Sequence, residues 1–277
     1  MPYITVGKEN SGNIDLYYED HGTGTPVVLI HGWPLSGASW EKQITALISA
    51  GYRVITYDRR GFGRSARPWA GYNYDTMTRD LHTLLEKLDI RDATIVGFSM
   101  GGGEVARYLG TYGPDRVKKA VFISAIPPFL LKTPDNPAGV EKAVFDQIQA
   151  GLAADRPAFL TQFFANFYNA DLLKGTRISD QALQLSWNVA AGASARASYE
   201  CVNAWLEDFR GDLTRITIPT LIVHGDADRI CPFPVTGKRM HDAIKGSTFA
   251  VIKGGPHGLI WTHADEANRA LIEFLKR

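Results

Sequence analysis

The sequence predicts an α/β fold built on a mostly parallel sheet. Short apolar runs rich in β-branched residues alternate with amphipathic stretches that are spaced for helices. The run Val27–Ile30 is continuously apolar, as expected for a strand that is covered on both faces. Strand–helix–strand succession indicates parallel βαβ units, whose ligands bind outside the carboxyl ends of the strands. The pattern therefore predicts a functional site at that edge of the sheet.

Eight strands and several helices follow from this reading. Asp75 is a candidate N-cap for a helix whose apolar side chains, from Met77 to Leu88, share one face. A last helix is predicted to begin at His263. The predicted strands are Tyr3–Val6, Ile14–Asp20, Val27–Ile30, Arg53–Tyr57, Ala93–Val96, Val117–Ser124, Thr220–His224 and Phe249–Ile252.

Residues 126–213 interrupt the alternation and are predicted to form a helical cap. The cap is inserted between residues 1–125 and 214–277, which together form the predicted α/β core. Prolines break the chain at the start of the insertion, and the segment is rich in aromatic residues. The alternative is a helical subdomain that only completes the hydrophobic core. We favour a cap, because insertions at the carboxyl edge of a sheet usually carry function.

Composition excludes several classes of protein. The 277 residues include 30 Lys and Arg against 29 Asp and Glu, and this balance argues against a nucleic-acid binder. No apolar run approaches the roughly 18 residues of a membrane helix, and the N-terminus lacks a signal-peptide core. The two cysteines, Cys201 and Cys231, are too few for a disulfide framework. One bridge between them is the alternative, but we expect two buried thiols in a reducing compartment. We expect a cytoplasmic protein that binds neither nucleic acid nor membranes.

The segment Gly97–Gly101 has the pattern Gly-x-Ser-x-Gly. It follows the predicted strand Ala93–Val96 and precedes Gly102–Leu109, which can start a helix. This strand–turn–helix context is that of a nucleophile elbow, in which a serine is held out at the sheet edge. The alternative is a glycine-rich turn with an incidental serine. We expect Ser99 to be the nucleophile.

A serine nucleophile needs a histidine base that is itself oriented by a carboxylate. In this kind of fold the chain order is serine, then Asp or Glu, then histidine. Asp226 and Asp228 follow the strand Thr220–His224, and His257 lies in a Gly/Pro-rich loop after the last strand. We favour Asp228 as the orienting carboxylate, because Asp226 is closer to the strand and is suited to bracing the loop.

The loop His31–Pro34 follows the third strand and is a candidate oxyanion loop. A backbone N–H from this loop can pair with the one that follows the nucleophile, so Trp33 and Met100 are the predicted donors. Pro34 has no N–H and can offer only its carbonyl. The turn Gly61–Ser65 lacks the Gly-Lys-Ser/Thr ending of a phosphate loop and is expected to be structural. No spacing typical of metal ligands is present.

Together these motifs resemble those of α/β-hydrolases over nearly the whole chain. Within that fold they resemble the bacterial cofactor-free haloperoxidases (perhydrolases) and aryl esterases. Two further segments, Phe167–Asn169 and Trp261–Glu266, are similar to relatives described as γ-lactamases. The segments that carry the main resemblance are His31–Pro34, Tyr57–Ser65, Gly97–Gly101, His224–Asp228 and Pro256–Gly258.

The resemblance implies acyl transfer with Ser99 as nucleophile, His257 as general base and Asp228 as its orienter. It implies no haem, no metal and no other cofactor. An ester or a carboxylic acid is the acyl donor; water as acceptor gives esterase activity, and hydrogen peroxide gives a peracid that oxidises bromide or chloride. In this family a proline after the oxyanion-loop tryptophan is associated with perhydrolysis, so we hypothesise that the Pro34 carbonyl orients peroxide. Relatives also suggest a homo-oligomer.

An apolar substrate pocket is expected from the positions of the motifs. Such a pocket favours small acyl groups or aryl esters over charged substrates. Two alternatives stay open: a γ-lactam or amide hydrolase that uses the same triad, and a small-molecule receptor on a hydrolase fold that does not turn over. The residues expected to line the pocket are Trp33, Pro34, Phe98, Met100, Ile126, Phe129, Phe164 and Ile230.

Overall fold

The computed structural model describes residues 2–277, which form one eight-stranded sheet. The strand order is β1-β2-β4-β3-β5-β6-β7-β8, with β2 antiparallel to both of its neighbours and β3 to β8 parallel. This architecture confirms the predicted mostly parallel sheet. The strands are β1 (Tyr3–Glu9), β2 (Gly12–His21), β3 (Pro26–Ile30), β4 (Arg53–Tyr57), β5 (Ala93–Phe98), β6 (Val117–Ile123), β7 (Thr220–Gly225) and β8 (Thr248–Ile252).

Helices flank the sheet. The longest one, α4, is interrupted at Asp155, whose backbone is not helical, two residues before Pro157. A proline has no N–H and clashes with the preceding turn, so this position breaks the helical hydrogen-bond ladder. The helices are α1 (Glu41–Ser49), α2 (Tyr74–Lys87), α3 (Met100–Tyr112), α4 (Lys142–Phe167), α5 (Ala170–Leu173), α6 (Asp180–Ala191), α7 (Ala195–Ala204), α8 (Arg210–Leu213), α9 (Gly237–Ala243), α10 (Leu259–Thr262) and α11 (Ala264–Leu275).

The predicted N-cap of α2 was wrong. Asn73, not Asp75, caps this helix, because the Asn73 side chain accepts the N–H of Thr76 at 2.9 Å. Asn73 has the extended backbone that an N-cap requires, whereas Asp75 already lies in the first helical turn. The last helix begins at Ala264, directly after His263.

The strands in the middle of the sheet are covered on both faces, as their continuous apolar runs predict. In β3, Val28 and Ile30 belong to a core cluster that includes α2 and α3 side chains. Val27 and Leu29 belong to a second cluster, which includes side chains of α1 and α11. Successive residues of a strand point to opposite faces, so one short run contributes to both layers. Cys201 and Cys231 are buried free thiols.

The segment 126–213 contains the five helices from α4 to α8. Its apolar side chains take part in both core clusters, with Phe145 and Leu152 in the first and Phe164 in the second. The exact bounds of this segment as a separate cap stay a prediction. None of the helices within residues 2–277 is long and apolar enough to cross a membrane.

Candidate active site

Ser99 lies in the sharp turn between β5 and α3. Its backbone has φ 54° and ψ −118°, a conformation that non-glycine residues rarely adopt. A Cβ on Gly97 would lie 2.4 Å from the Gly101 carbonyl oxygen, and one on Gly101 would lie 2.3 Å from the Ile30 carbonyl oxygen. Only glycine therefore fits on either side of the serine, which explains the Gly-x-Ser-x-Gly pattern.

His257 connects Ser99 to Asp228 by two hydrogen bonds. Its Nε2 is 2.8 Å from the Ser99 Oγ, and its Nδ1 is 2.8 Å from the Asp228 Oδ2. The imidazole is fully buried and packs against the rings of Phe98 and Phe167, at centroid distances of 5.2 and 4.9 Å. The structure thus brings together three side chains from loops that follow three different strands.

Asp228 is a buried carboxylate that is held by several donors. Its Oδ1 accepts the N–H groups of Ile230 and Cys231 at 2.9 and 2.8 Å. Burial alone raises the pKa of Asp228, but attraction to the protonated form of His257 and hydrogen bonds from both His224 and His257 outweigh it and hold the pKa well below the ordinary value. Asp228 is therefore ionised at neutral pH.

Asp226 has a different place in the same loop. Its Oδ1 accepts the Gly254 N–H at 2.6 Å and so links the loop after β7 to the loop that carries His257. Its neighbour two residues on, Asp228, is the carboxylate that contacts His257. The two acidic residues therefore differ in what they touch, and Asp226 braces the loop.

The amide hydrogens of Trp33 and Met100 have no acceptor within residues 2–277. Met100 is the first residue of α3, where a backbone N–H has no partner inside the helix. The loop that carries Trp33 is stabilised by the Arg59 guanidinium, which donates to the His31 carbonyl oxygen at 2.8 Å. Two free donors beside the nucleophile can stabilise negative charge on a substrate oxygen.

A cavity of about 250 Å³ opens next to Ser99. Its wall is mostly aromatic and aliphatic, and Trp33 meets Trp205 and Phe163 edge to face at centroid distances of 4.9 and 5.0 Å. Arg229 also lines it and pairs with Asp171 at 2.7 Å. The residues lining the cavity are Trp33, Ser99, Ile126, Leu130, Val140, Val144, Phe145, Ile148, Phe159, Gln162, Phe163, Asn166, Trp205, Arg229, Ile230 and Cys231.

The structure places three of the predicted pocket residues at the cavity. Trp33, Ile126 and Ile230 line the cavity, whereas the remaining predicted residues do not. Phe98 lies beneath the His257 ring, Phe129 lies beneath the Arg210 guanidinium, and Phe164 packs against Phe167 and Tyr168. All three rings are buried, but none of them is part of the cavity wall. The predicted residues that do not line it are Pro34, Phe98, Met100, Phe129 and Phe164.

The residues that the sequence analysis missed lie mainly on α4. Phe159 and Phe163 are one helical turn apart and line the cavity, whereas Phe164 and Phe167 turn into the core. The aromatic spacing shows two faces of a helix, but it does not say which face meets the nucleophile. His224, to which the sequence analysis gave no role of its own, lies 3.3 Å from Asp228.

Known proteins share this sequence and this fold. Residues 25–264 match the family described by the α/β-hydrolase fold. A protein of Synechocystis sp., provisionally named a non-heme chloroperoxidase, is 60% identical over 276 residues, and the match covers 100% of both chains. The bifunctional esterase/perhydrolase of Acinetobacter calcoaceticus is 36% identical over 279 residues, again covering 100% of both chains. The crystal structure of a bromoperoxidase from Bacillus anthracis has a TM-score of 0.96 at 53% identity and covers 99% of each chain.

The matched segment begins in the loop before β3 and ends at the start of α11. It contains the serine turn, the loop with Asp228 and the loop with His257, together with the six parallel strands that position them. By sequence and by architecture, the chain belongs to the α/β-hydrolase family.

Proposed function

We propose that the protein is a cofactor-free haloperoxidase (perhydrolase) with esterase activity, which works by serine-dependent acyl transfer. The observation that carries this proposal is the hydrogen-bonded series Ser99–His257–Asp228 beside an apolar cavity. Relatives over the full length are named for haloperoxidase, perhydrolase and esterase activities, which supports the same reaction class.

In the first half of the reaction, Ser99 is acylated. His257 accepts the Oγ proton as the oxygen attacks the carbonyl carbon of an ester or a carboxylic acid. The negative charge that develops on the carbonyl oxygen is stabilised by the N–H groups of Trp33 and Met100. His257 then gives the proton to the leaving oxygen, which departs as an alcohol from an ester or as water from an acid.

In the second half, a small acceptor removes the acyl group. His257 takes a proton from water or hydrogen peroxide, whose oxygen attacks the acyl carbon, and the proton returns to Ser99 when the ester bond breaks. Water gives the carboxylic acid, and hydrogen peroxide gives a peracid. The peracid transfers its terminal oxygen to bromide or chloride, which yields a hypohalite and regenerates the carboxylate.

Asp228 orients the base throughout. Its low pKa keeps it ionised, so it accepts the Nδ1–H of His257 and leaves the Nε2 lone pair facing Ser99. The same negative charge stabilises the imidazolium that forms in each half-reaction.

Intact-mass measurement after treatment with phenylmethylsulfonyl fluoride tests the proposal. We expect one sulfonyl adduct on the wild type and none on Ser99→Ala. Acetate-dependent bromination should then accompany hydrolysis of simple aryl esters in the wild type. A folded wild type that takes no adduct would overturn the triad assignment.

The same assays separate the alternatives. An adduct with γ-lactam hydrolysis but no bromination would favour the lactam or amide hydrolase, since that reaction uses the same three side chains. An adduct with ligand binding but no turnover of any ester would favour a receptor.

The proposed partners are small molecules: an acyl donor, and hydrogen peroxide or water as acceptor. A homo-oligomer and a cytoplasmic location stay predictions. Native mass spectrometry of the purified protein tests the first, and fractionation of the source cells tests the second.

A further inference from the structure

His224 is a fully buried histidine that the mechanism above does not use. It ends the apolar part of β7, four residues before Asp228. Its Nε2 lies 3.3 Å from Asp228 Oδ2, the same oxygen that His257 Nδ1 contacts at 2.8 Å. One carboxylate oxygen therefore faces two imidazole rings.

The surroundings of His224 assign its proton to Nε2. Two oxygens face that nitrogen, the Cys231 carbonyl at 2.9 Å and Asp228 Oδ2. Nδ1 has no hydrogen-bond partner within the described residues, and Gly237 packs so closely that a Cβ there would lie 2.6 Å from Nδ1. A proton on Nδ1 would be a buried donor without an acceptor, which is costly. The contacts therefore favour Nε2 over Nδ1 as the donor nitrogen of His224.

The Cys231 peptide connects His224 to the other oxygen of Asp228. Its carbonyl accepts the His224 Nε2–H, while its own N–H donates to Asp228 Oδ1 at 2.8 Å. The Ile230 N–H donates to the same Oδ1 at 2.9 Å. His224 thus stabilises the conformation of the turn 228–231 in which two N–H groups donate to Asp228 Oδ1. It also places its own N–H near Asp228 Oδ2.

We propose that His224 is a positioning residue for the triad: it fixes the turn that holds Asp228 and shares the carboxylate charge with His257. It acts through Asp228 and does not touch the substrate. The role rests on the proposed function, because it requires that Asp228 orients a catalytic His257.

Three titratable groups act directly on Asp228 or lie beside it. They are His224, His257 and the Cys231 thiol. Burial raises the pKa of Cys231 well above its ordinary value, with a smaller contribution from the Asp228 charge, so the thiol is neutral. The nearest aromatic neighbour of His224 is Phe233, at a centroid distance of 6.0 Å.

Loss of the His224 N–H has a defined direction. Without it, the Asp228 charge is shared less and stabilises protonated His257 more strongly. A larger fraction of His257 is then protonated at a given pH and unable to act as base. The acid limb of the kcat/KM profile therefore moves to higher pH.

Two amide substitutions separate this role from simple packing. Glutamine can place an N–H near the position of the imidazole Nε2, whereas the shorter asparagine places its N–H near Nδ1. We expect His224→Gln to keep kcat/KM for an aryl ester within about threefold of the wild type, with the acid limb in place. We expect His224→Asn to lower kcat/KM roughly tenfold and to move the acid limb upwards.

His82→Asn is the matched control. His82 lies on α2 and stacks on Tyr112 at 3.9 Å, without contact to the triad. We expect this variant to keep both the rate and the pH profile. The downfield proton resonance of His257 Nδ1–H gives a direct second reading of the hydrogen bond to Asp228, and it should move in His224→Asn but not in His224→Gln.

Four results would overturn the positioning role. The first is a folded His224→Asn variant whose kcat/KM profile and His257 proton resonance match those of the wild type. The second is an equal loss of kcat/KM in both amide variants, which would mean that His224 acts by packing alone. The third applies if His224→Asn does not fold: it is a folded His224→Gln variant that loses kcat/KM for the aryl ester. The fourth is a wild type that phenylmethylsulfonyl fluoride does not label, and only this result would overturn the proposed function as well.

Discussion

Asp228 illustrates how neighbouring donors make a buried charge stable. The carboxylate is almost fully buried, and such a group would be costly without partners. Two backbone N–H groups occupy Oδ1, and the imidazole of His257 occupies Oδ2. Because these donors favour the ionised form, the residue next to the base carries a negative charge at neutral pH.

Asp228→Asn should remove this charge with little change in shape. We expect kcat for ester hydrolysis to fall roughly 10³- to 10⁴-fold, because an amide can no longer hold His257 in the correct tautomer. Asp226→Asn is the matched control and should keep nearly full activity, since its hydrogen bond goes to the Gly254 N–H. Steady-state kinetics on the two purified variants measure this. Equal losses in both would contradict the assignment of roles.

The same pair predicts a pH dependence of stability. A carboxyl with a lowered pKa in the folded state contributes stability that is complete above its unfolded pKa, about 3.9, and is lost as the pH falls through the folded pKa. The difference in unfolding free energy between wild type and Asp228→Asn should therefore shrink from pH 5 down to about pH 2. Urea unfolding across this range measures it. A constant difference would contradict the lowered pKa.

At the scale of elements, a buried ion pair connects β4 and the loop after it to the helix that follows the nucleophile. Arg59 pairs with Glu104 of α3, and Tyr57 donates to the same carboxylate at 2.6 Å. The Arg59 backbone N–H donates to His31 Nε2 at 3.0 Å. Burial and the charge of Arg59 lower the pKa of His31 well below its ordinary value, so His31 is a neutral acceptor. These contacts fix the position of the loop that carries Trp33 relative to α3.

The contact between β3 and the start of α3 depends on glycine. Gly101→Ala should destabilise the protein by about 3 kcal/mol or prevent folding, because the new methyl group would meet the Ile30 carbonyl oxygen at 2.3 Å. Gly211→Ala in α8 is the control: a Cβ there meets nothing within 4 Å, and alanine should be neutral or stabilise by up to about 1 kcal/mol. Thermal and urea unfolding compare the two. A Gly101→Ala variant as stable as the wild type would disprove the close contact.

At the scale of the whole molecule, the cavity forms where α4 meets the carboxyl edge of the sheet. Trp33 comes from the loop after β3, Phe163 from α4, and Ile230 from the loop after β7. These residues are far apart in the chain and meet only in the folded protein. The size of the acyl group that fits is therefore a property of the assembled fold.

Phe145→Ala should enlarge this cavity. The ratio of kcat/KM for a longer acyl ester to that for an acetate ester should rise roughly fivefold to tenfold. Phe129→Ala is the control, since both rings are equally buried, with exposures of 7% and 5% for Phe129 and Phe145, but only Phe145 lines the cavity. Both variants should lose about 3 kcal/mol of stability. A shifted ratio in Phe129→Ala would contradict the assigned cavity wall.

Much of the fold and of the candidate site follows from the sequence alone. The strands in the middle of the sheet could be predicted because a buried parallel strand must be apolar on both faces, and this leaves a continuous run such as Val27–Ile30. Ser99, Asp228 and His257 could be named because a sharp turn between flanking glycines and a fixed chain order restrict the choices. These constraints depend on residues close together in the chain or on chain order, so the sequence alone shows them.

The tertiary structure alone decided which side chains face the cavity. Phe163 and Phe164 are adjacent and chemically identical, yet one lines the cavity and the other lies in the core. Likewise, the sequence by itself placed His224 at the end of a strand. Its contacts with Asp228 and the Cys231 carbonyl form only because the turn 228–231 folds back towards that strand end. Which face of a helix is buried depends on how whole elements pack against each other, and that orientation is set by contacts between residues distant in the chain.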